Sequence, residues 1–523
     1  MSGKIRLYYE TIKYLKPGQL FWRPAKRLGA KCALPGVRIA PRGACRPIFK
    51  AEELERDPVF LARFPAGELM ADRVTFLHES EAFCWDQPWH VEERSHLWNF
   101  NLHYFEFLHP LVKEFQETGH GAYLDKTVQM IRGWIKRNPV GGGGDGWSAY
   151  TISLRLINWM AYESAVQSHL DASFREELEA SIYEQYCYLS THLEKDILGN
   201  HYFDNLKTLV LCALFFDDSQ ALAGFLKEFL RECGREILPD GMHFELSPMY
   251  HKIVLEGMLR VAVGLWEAGK PNAELEEMVS KMIDAAFSME RGLFRTPLFN
   301  DSGDNVAKPL DALLKFADKH LGITPTCRDA LPDSGYYFFS NGPWRLVVDA
   351  GAAGPDYIPG HSHCDAMSFE LYRDGVPYLV NCGTYAYQCE ERRYFRSTEA
   401  HNTVQVAGVE QSEIWSAFRL ARRSRTKVLE ALPNGLIMEM KDYLGHSIRR
   451  QITLEADVLR IKDWAEGLEL QSHVHSIHNI DINSNGQIRR GEAMYAPEFG
   501  LLRQIHHMTM TGSGMVETTI ALR

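Results

Sequence analysis

The sequence predicts an α+β multidomain protein in which a helical domain precedes an antiparallel β domain. From about residue 96 to 326, apolar residues recur at i, i+3, i+4 and i+7, the spacing of amphipathic helices. From residue 335 the pattern changes to short segments rich in Val, Ile, Tyr and Phe, and two of the breaks are the hairpin signals RDGV and PNGL. We therefore expect stacked helical hairpins, as a solenoid or a closed toroid, followed by a β-sandwich.

The chain has 523 residues, which favours more than one domain. Proline and arginine interrupt the first part of the sequence repeatedly, so residues 1–95 are predicted to be an irregular extension that packs on the helical domain. The predicted domains are therefore 1–95, 96–326 and 335–523.

Composition and charge narrow the functional class. The net charge is -11 and no basic block stands out, which argues against a nucleic-acid surface but leaves room for a locally basic cleft. The ten cysteines include no C-x-x-C pair, which favours reduced thiols. No apolar run has signal-peptide or membrane-spanning character, so we predict a cytoplasmic protein with no membrane span, with the periplasm as the alternative.

Two polar pairs interrupt apolar helical segments. Arg155 and Asn158 are three residues apart and so share one helix face, either for helix packing or for binding a substrate. Asn200 and His201 follow a glycine and open a helix. An asparagine at this position is a common N-cap, but an amide and an imidazole beside free backbone N–H groups also suit a carboxylate.

A third polar cluster lies in the segment LPDGMHFELSPMYHKI. Its serine and proline are typical of a helix start, which places Tyr250 and His251 in or near the first turn. A tyrosine there is usually a packing residue. It can also transfer protons if neighbouring cations lower its pKa.

The fourth cluster begins at IPGHSHCDAMSFEL, where His361, His363 and Asp365 alternate. On a strand these three side chains would point to the same side, either towards solvent or into a site. His401 directly precedes the strand signal NTVQV, so a neighbouring strand is expected to bring it close to the first three residues.

Together the motifs GNH, DGMHFELSPMYH, GHSHCDAMSFEL, NCGTYAY and YFRSTEAHNTVQVAG resemble the heparinase II/III family of polysaccharide lyases. The resemblance covers roughly residues 95–430. It implies an incomplete (α/α) toroid followed by an antiparallel β-sandwich, in agreement with the change of period.

The resemblance implies cleavage of a uronate-containing polysaccharide by β-elimination. Asn200 and His201 match the family positions that neutralise the substrate carboxylate, and Tyr250 and His361 match the proton-transfer groups. Heparin, heparan sulfate, alginate and other anionic exopolysaccharides are all compatible substrates. The residues expected to contact this anionic partner are Arg155, Asn158, His251, Tyr385, Arg393 and Arg396.

The family also holds a structural zinc ion in the β domain, and the matching ligands are His363, Asn381 and His401. Asn381 stands where the family has an aspartate, and a neutral amide is a weaker zinc ligand than a carboxylate. Asp365 compensates only if it faces the metal. Zinc is therefore an open expectation.

Two alternatives belong to different functional classes. The first is a non-catalytic glycan-binding protein on a lyase scaffold, which needs no acid–base residues. The second is a metal-dependent hydrolase, because HSHCD partly matches an H-x-H-x-D-H pattern. Ala366 occupies the position of the last histidine, which disfavours the hydrolase.

Overall fold

The computed structural model describes residues 3–29, 45–46 and 52–523 of the chain. Its helices and strands follow the predicted order. The helices are α1 (Gly3–Ile12), α2 (Pro17–Gly29), α3 (Glu52–Glu55), α4 (Pro58–Leu61), α5 (Ala66–Met70), α6 (His96–Tyr104), α7 (Leu108–Thr118), α8 (Gly121–Arg137), α9 (Ala149–Val166), α10 (Ala172–Thr191), α11 (Asn200–Phe215), α12 (Ser219–Glu236), α13 (Pro248–Glu267), α14 (Ala273–Glu290), α15 (Leu310–Leu321) and α16 (Arg392–Phe395). The strands are β1 (Arg73–Phe76), β2 (Glu79–Ala82), β3 (Ala330–Leu331), β4 (Tyr336–Asn341), β5 (Trp344–Asp349), β6 (Phe369–Arg373), β7 (Val376–Leu379), β8 (Val404–Val406), β9 (Ile414–Ser416), β10 (Arg419–Leu420), β11 (Arg425–Leu432), β12 (Gly435–Lys441), β13 (Ser447–Leu454), β14 (Val458–Ser476), β15 (Ile482–Ser484), β16 (Gln487–Glu498) and β17 (Leu501–Ala521).

The helical domain is built from helix pairs in two layers. Helices α9, α11 and α13 are buried along nearly their whole length, and α11 packs against both α9 and α13. Helices α8, α12 and α14 bury one face and expose the other, as expected for an outer layer. This arrangement is the predicted incomplete (α/α) toroid, and the prediction is confirmed. In the described part of the chain, no helix is both long enough and apolar enough to cross a bilayer.

The described part of residues 1–95 contains regular helices where the sequence predicted an irregular extension, and it packs on the toroid. Residues 3–12 and 17–29 form helices. Pro17 is the first residue of α2, a position where the N–H group that proline lacks has no partner within the helix. Residues 54–89 contribute aromatic side chains such as Phe60, Trp85 and Trp89 to the apolar core of the toroid. This part therefore belongs to the helical domain.

The β domain is an antiparallel sandwich of two layers, as predicted. One layer runs in the order β3-β4-β5-β6-β7, and the other contains β11, β12, β13 and β14. The long strands β14 and β17 pair along most of their length and connect the layers, because the far end of β14 also pairs with β7 and β8. The RDGV and PNGL signals form the β6–β7 and β11–β12 hairpins.

A separate apolar cluster joins the two domains. It contains Met242, Leu246, Ala285, Met289 and Phe299 from the helical side and Leu331, Tyr336, Phe338, Val347 and Tyr372 from the β side. Burial of this cluster fixes α14 and the segment before α13 against strands β3–β6, and a cleft remains beside this contact.

Candidate active site

The interdomain cleft has a volume of about 1800 Å³. Its helical wall carries the first turns of α11 and α13, and its β wall carries the β5–β6 loop and the loop that follows β7. Pockets for drug-sized ligands are usually about 300–1,000 Å³, so this cleft is large enough for several sugar units.

Asn200 and His201 lie at the start of α11, as predicted from the GNH motif. Asn200 is buried, and its Oδ1 has no hydrogen-bond partner among the residues that the structure describes. His201 Nδ1 lies 3.2 Å from Glu194 Oε1. Burial alone would lower the pKa of His201, but the Glu194 carboxylate outweighs burial and the pKa is raised. Asn200 and His201 thus present to the cleft an amide and an imidazole whose protonated form is favoured.

Gly199 explains how the two domains approach each other at this point. Its φ of 59° favours glycine, and a Cβ atom there would lie 2.3 Å from Glu245 Oε1 and 2.8 Å from Ile358 Cδ1. The backbone of residue 199 is therefore in contact with both the α12–α13 segment and the β5–β6 loop. This contact brings Glu245 within 3.4 Å of the Asn200 N–H.

Tyr250 lies in the first turn of α13, where Ser247 caps the helix by accepting the Tyr250 N–H. The Tyr250 hydroxyl is 2.6 Å from the Tyr387 hydroxyl, and its ring centroid is 3.9 Å from that of His361. The sequence indicated proton transfer by Tyr250 only if neighbouring cations lower its pKa. Burial instead raises this pKa, so the phenol keeps its proton.

His361, His363 and Asp365 lie in the loop between β5 and β6, so the common direction that a strand would give their side chains does not apply. The loop is polar, and contacts to neighbouring segments hold it in place of the backbone hydrogen bonds that would pair a strand. Free of strand alternation, His361 reaches the cleft while His363 and Asp365 are buried behind it.

Asp301 joins the two histidines. Its Oδ2 is 2.9 Å from His361 Nδ1 and its Oδ1 is 2.8 Å from His363 Nε2. Arg392 donates to both oxygens of the same carboxylate. Burial alone would raise the pKa of Asp301, but Arg392 and the two histidines hold it well below its ordinary value. The carboxylate is therefore ionised and fixes the orientation of both imidazoles.

His363, Asp365 and His401 form a cluster whose ligand atoms all lie within 4.8 Å of one another. His363 Nδ1 and His401 Nε2 are 3.1 Å apart, and each ring uses its other nitrogen for a bond, His363 to Asp301 and His401 to the Ser397 carbonyl at 2.8 Å. These two nitrogens thus face each other at hydrogen-bond distance, and outer partners hold both imidazoles, as they do around a metal ion. These residues fit a zinc site.

Asn381 Oδ1 accepts the Asn402 N–H at 2.9 Å, which uses one of the two lone pairs of the amide oxygen. Asp365 supplies the carboxylate of the cluster. Binding of zinc and a ligand role for Asn381 both stay predictions.

The substrate-contact role predicted for Arg155 and Asn158 is wrong, because both side chains are buried and bonded within the toroid. Arg155 donates to Gln185 Oε1 at 2.8 Å and to the Gly146 carbonyl at 2.7 Å. Asn158 is 2.8 Å from His109 Nε2. The alternative reading, helix packing, describes both residues.

His251 and Arg396 also lie away from the cleft. Both are buried, and His251 Nε2 donates to the Met282 carbonyl at 3.0 Å. Arg396 donates to the carbonyls of Ser362 at 2.7 Å and of Ser416 at 2.8 Å. Arg396 therefore holds the loop that carries His361 and does not contact substrate directly.

Two predicted substrate contacts remain, Tyr385 and Arg393. Tyr385 lines the cleft, whereas Arg393 is exposed and lies outside the cleft walls. Sequence reasoning missed the roles of Glu194 and Asp301, which orient the site histidines. The polar segment NDSGD after an apolar stretch was a signal for Asp301, but Glu194 lies in an ordinary charged segment and offers none.

Comparisons with known proteins agree with this architecture. The sequence profile described as Heparinase II/III N-terminus matches residues 73–319, and the profile described as Heparinase II/III-like, C-terminal, matches residues 323–507. A heparin-sulfate lyase of Pedobacter heparinus is 27% identical over 359 residues, which cover 61% of this chain and 53% of the relative. A heparin-sulfate lyase of Bacteroides stercoris is 24% identical over 374 residues, 60% of this chain and 54% of the relative. The chain thus aligns with about half the length of these curated relatives.

Solved structures share the fold. The crystal structure of a heparinase III superimposes with a TM-score of 0.70 at 16% identity, over 97% of this chain and 92% of that chain. The heparan sulfate lyase HepC of Pedobacter heparinus superimposes with a TM-score of 0.55 at 18% identity, over 95% and 87%. The two profiles together match most of the chain, in the order of its two domains. The chain belongs to the heparinase II/III family.

Proposed function

We propose that the protein is a polysaccharide lyase that cleaves a uronate-containing glycosaminoglycan by β-elimination. The observation that carries this proposal is the contact of Tyr250 with His361, with ring centroids 3.9 Å apart, in a cleft that also presents Asn200 and His201. The heparin-sulfate lyases among its relatives support a glycosaminoglycan as the substrate class.

The first requirement of the reaction is neutralisation of the uronate carboxylate. Removal of the C5 proton places a second negative charge next to that carboxylate, and preorganised donors lower the barrier by stabilising the charge as it develops. His201 suits this role because Glu194 favours its cationic form, and the Asn200 amide adds an uncharged donor.

His361 is the base that the geometry favours. Asp301 accepts the Nδ1–H of His361, which leaves a lone pair on Nε2. Nε2 lies 3.6 Å from Glu245 Oε2, and His361 lines the cleft. Nε2 removes the C5 proton, and the electrons of the C5–H bond form the C4–C5 double bond as the C4–O4 bond breaks.

Tyr250 is the acid. Its buried phenol keeps its proton, and transfer of that proton to O4 releases the leaving sugar as an alcohol. The Tyr387 hydroxyl, 2.6 Å away, can donate to the phenolate that remains. Loss of the C5-derived proton from His361 to solvent and uptake of one proton by the Tyr250 phenolate return the site to its starting state.

A zinc ion bound by His363, Asp365 and His401 would supply a fixed positive charge behind the catalytic loop. These residues would hold the metal, while Asp301 connects His363 to His361. The proton transfers themselves are carried by protein side chains.

The test is a lyase assay on heparan sulfate, heparin, chondroitin sulfate and alginate, with ultraviolet absorbance of the unsaturated uronate as the readout. Product masses complete it, because elimination adds no water whereas hydrolysis adds one molecule per bond cleaved. We expect unsaturated products from at least one glycosaminoglycan. Binding of a polymer with no cleavage of any polymer tested would support the glycan-binding alternative. Products whose masses include one added water molecule per cleaved bond would support the hydrolase.

A further inference from the structure

Helices α1 and α2 lie before the first residue matched by the family profiles, and they expose many apolar side chains. Of the seventeen large apolar side chains that are exposed within the described ranges, seven lie between residues 5 and 22. The seven are Ile5, Tyr8, Tyr9, Ile12, Leu20, Phe21 and Trp22. Single exposed apolar residues are normal on a protein surface, whereas a local concentration of them marks an interaction surface.

Four of the seven form one face of α1. Residues 5, 8, 9 and 12 have the spacing i, i+3, i+4 and i+7, which places their side chains along one side of the helix. Their exposed fractions lie between 48% and 60%. The other side of α1 carries Thr11, whose Oγ1 accepts a hydrogen bond from Trp415 Nε1 at 3.1 Å. Tyr8, at the border of the exposed face, packs edge-on against the same tryptophan. The β9–β10 hairpin thus holds α1 and leaves most of its apolar face uncovered.

Cations border this apolar face on both sides. At about 100° of rotation per residue, Lys4 lies on one flank of the face and Arg6 on the other. Both side chains are exposed. Lysine and arginine beside an apolar stripe extend their charged ends outwards, while their methylene groups add to the apolar area.

The charge of the surrounding segment has the same sign. Residues 1–50 contain twelve Lys and Arg and one acidic residue, Glu10, spaced so that no continuous basic block results. The rest of the chain contains 45 basic and 67 acidic residues. A negatively charged surface therefore attracts this segment and repels the rest of the molecule.

An anionic bilayer matches these features. A helix with an apolar, aromatic face and flanking cations is typical of helices that lie in the plane of the headgroups. Tyrosine and tryptophan are enriched at that depth, and anionic lipids attract basic segments next to them. A bilayer also accepts a narrow apolar stripe without a matching shape.

Two other occupants fit less well. An anionic sugar chain would pair with the cations but offers little apolar surface for Ile5 and Ile12. A second protein chain would cover apolar side chains, but stable protein interfaces use roughly 20–30 residues on each side, many more than the four of this face.

We propose that the exposed face of α1 docks the protein on the headgroup layer of an anionic lipid bilayer. Its four apolar side chains insert among the headgroups, and Lys4 and Arg6 pair with lipid phosphates. The inference is independent of the lyase reaction, because it uses only residues that precede the family profiles.

The test is co-sedimentation of the full chain with vesicles of equal parts phosphatidylcholine and phosphatidylglycerol, compared with vesicles of phosphatidylcholine alone. We expect binding to the anionic vesicles only, with release as NaCl is raised from about 0.05 M to about 0.5 M, because salt screens the attraction. Ile5→Ser combined with Ile12→Ser should weaken binding about tenfold or more. Lys4→Gln combined with Arg6→Gln should weaken it about ten- to thirtyfold, since each cation near the membrane contributes about fivefold.

The matched controls remove the same kinds of side chain elsewhere on the surface. Leu444→Ser with Leu502→Ser deletes two exposed aliphatic side chains, and Lys441→Gln with Arg503→Gln deletes two exposed charges. Both controls should bind anionic vesicles within about twofold of the wild type. Urea unfolding of every variant shows whether a loss of binding reflects a loss of folding.

Absence of wild-type binding to anionic vesicles would overturn the proposal, as would equal losses in the α1 variants and their controls. Two further results would overturn it by assigning the face to another occupant. One is a heparan sulfate octasaccharide whose affinity falls in the α1 variants when no vesicle binds. The other is a dimer, seen by analytical ultracentrifugation, that dissociates in the same variants.

Discussion

His361 and His363 are two residues apart in the chain and bond to opposite oxygens of the same carboxylate, that of Asp301, at 2.9 and 2.8 Å. One of the histidines faces the cleft and the other belongs to the candidate metal cluster. The metal cluster and the proposed base are therefore mechanically connected through one buried anion, although the metal would not touch the substrate.

Asp301→Asn should impair catalysis and metal binding together. The amide cannot accept from both histidines and Arg392 as a carboxylate does, so we expect kcat to fall about a hundredfold and zinc affinity about ten- to a hundredfold. Steady-state kinetics and a chelator competition measure the two losses.

The same variant leaves the Arg392 charge buried without its partner, which should reduce the free energy of unfolding by about 3–5 kcal/mol. Adding Arg392→Gln should restore part of this stability, measured by urea unfolding, but not kcat. A variant that keeps full activity while losing zinc would contradict the connection.

Tyr250→Phe should reduce kcat by about a hundredfold or more and leave KM within a fewfold, because it removes the proton for O4 and little binding surface. Tyr385→Phe is the control, since Tyr385 is another tyrosine of the cleft. It should change kcat by less than about threefold. Wild-type kcat in Tyr250→Phe would exclude this tyrosine as the acid.

Glu194→Gln should move the alkaline limb of the pH–rate profile to lower pH. The raised pKa of His201 means that the cationic form persists below that pKa and is lost as pH rises through it. Without the Glu194 charge the pKa falls, so the activity that depends on the cation is lost earlier on raising the pH. A kcat/KM profile of both proteins measures the shift. An unchanged or upward-shifted limb would refute the role of Glu194.

Asp365→Asn should weaken zinc binding by about tenfold or more, because it removes the anionic oxygen of the cluster. Competition with a chromophoric chelator measures the affinity without reference to activity. Asn381→Asp should alter it by less than about threefold, since Asp365 already supplies the anionic oxygen of the cluster. A large gain of affinity in Asn381→Asp would establish position 381 as a ligand.

Arg155→Met should lower the free energy of unfolding by about 2–4 kcal/mol, because it leaves buried carbonyl and amide oxygens without donors and removes the contact with Trp134, 3.9 Å from the guanidinium. Urea unfolding gives the stability, and KM of the folded enzyme should stay within about twofold of the wild type. A tenfold rise in KM at unchanged stability would restore the substrate-contact role.

The domain order and the helix starts at Asn200 and at Pro248, just before Tyr250, were predictable, because periodicity, capping residues and hairpin turns are local signals. The placement of His361 was not, because alternation alone cannot distinguish a strand from a polar loop that is held by Arg396 and Asp301 from elsewhere. Arg155 could not be assigned either, since its role depends on carbonyl groups brought close only by the tertiary fold.

Gly199 is buried against two different segments at a backbone conformation that side chains rarely adopt. The residue type at position 199 is therefore informative when related sequences are compared. A chain that aligns well over both domains but carries a larger residue at this position must adopt a strained φ and displace the Glu245 carboxylate and the Ile358 methyl group. In such a chain, the carboxylate of residue 245 would no longer lie beside the N–H of residue 200.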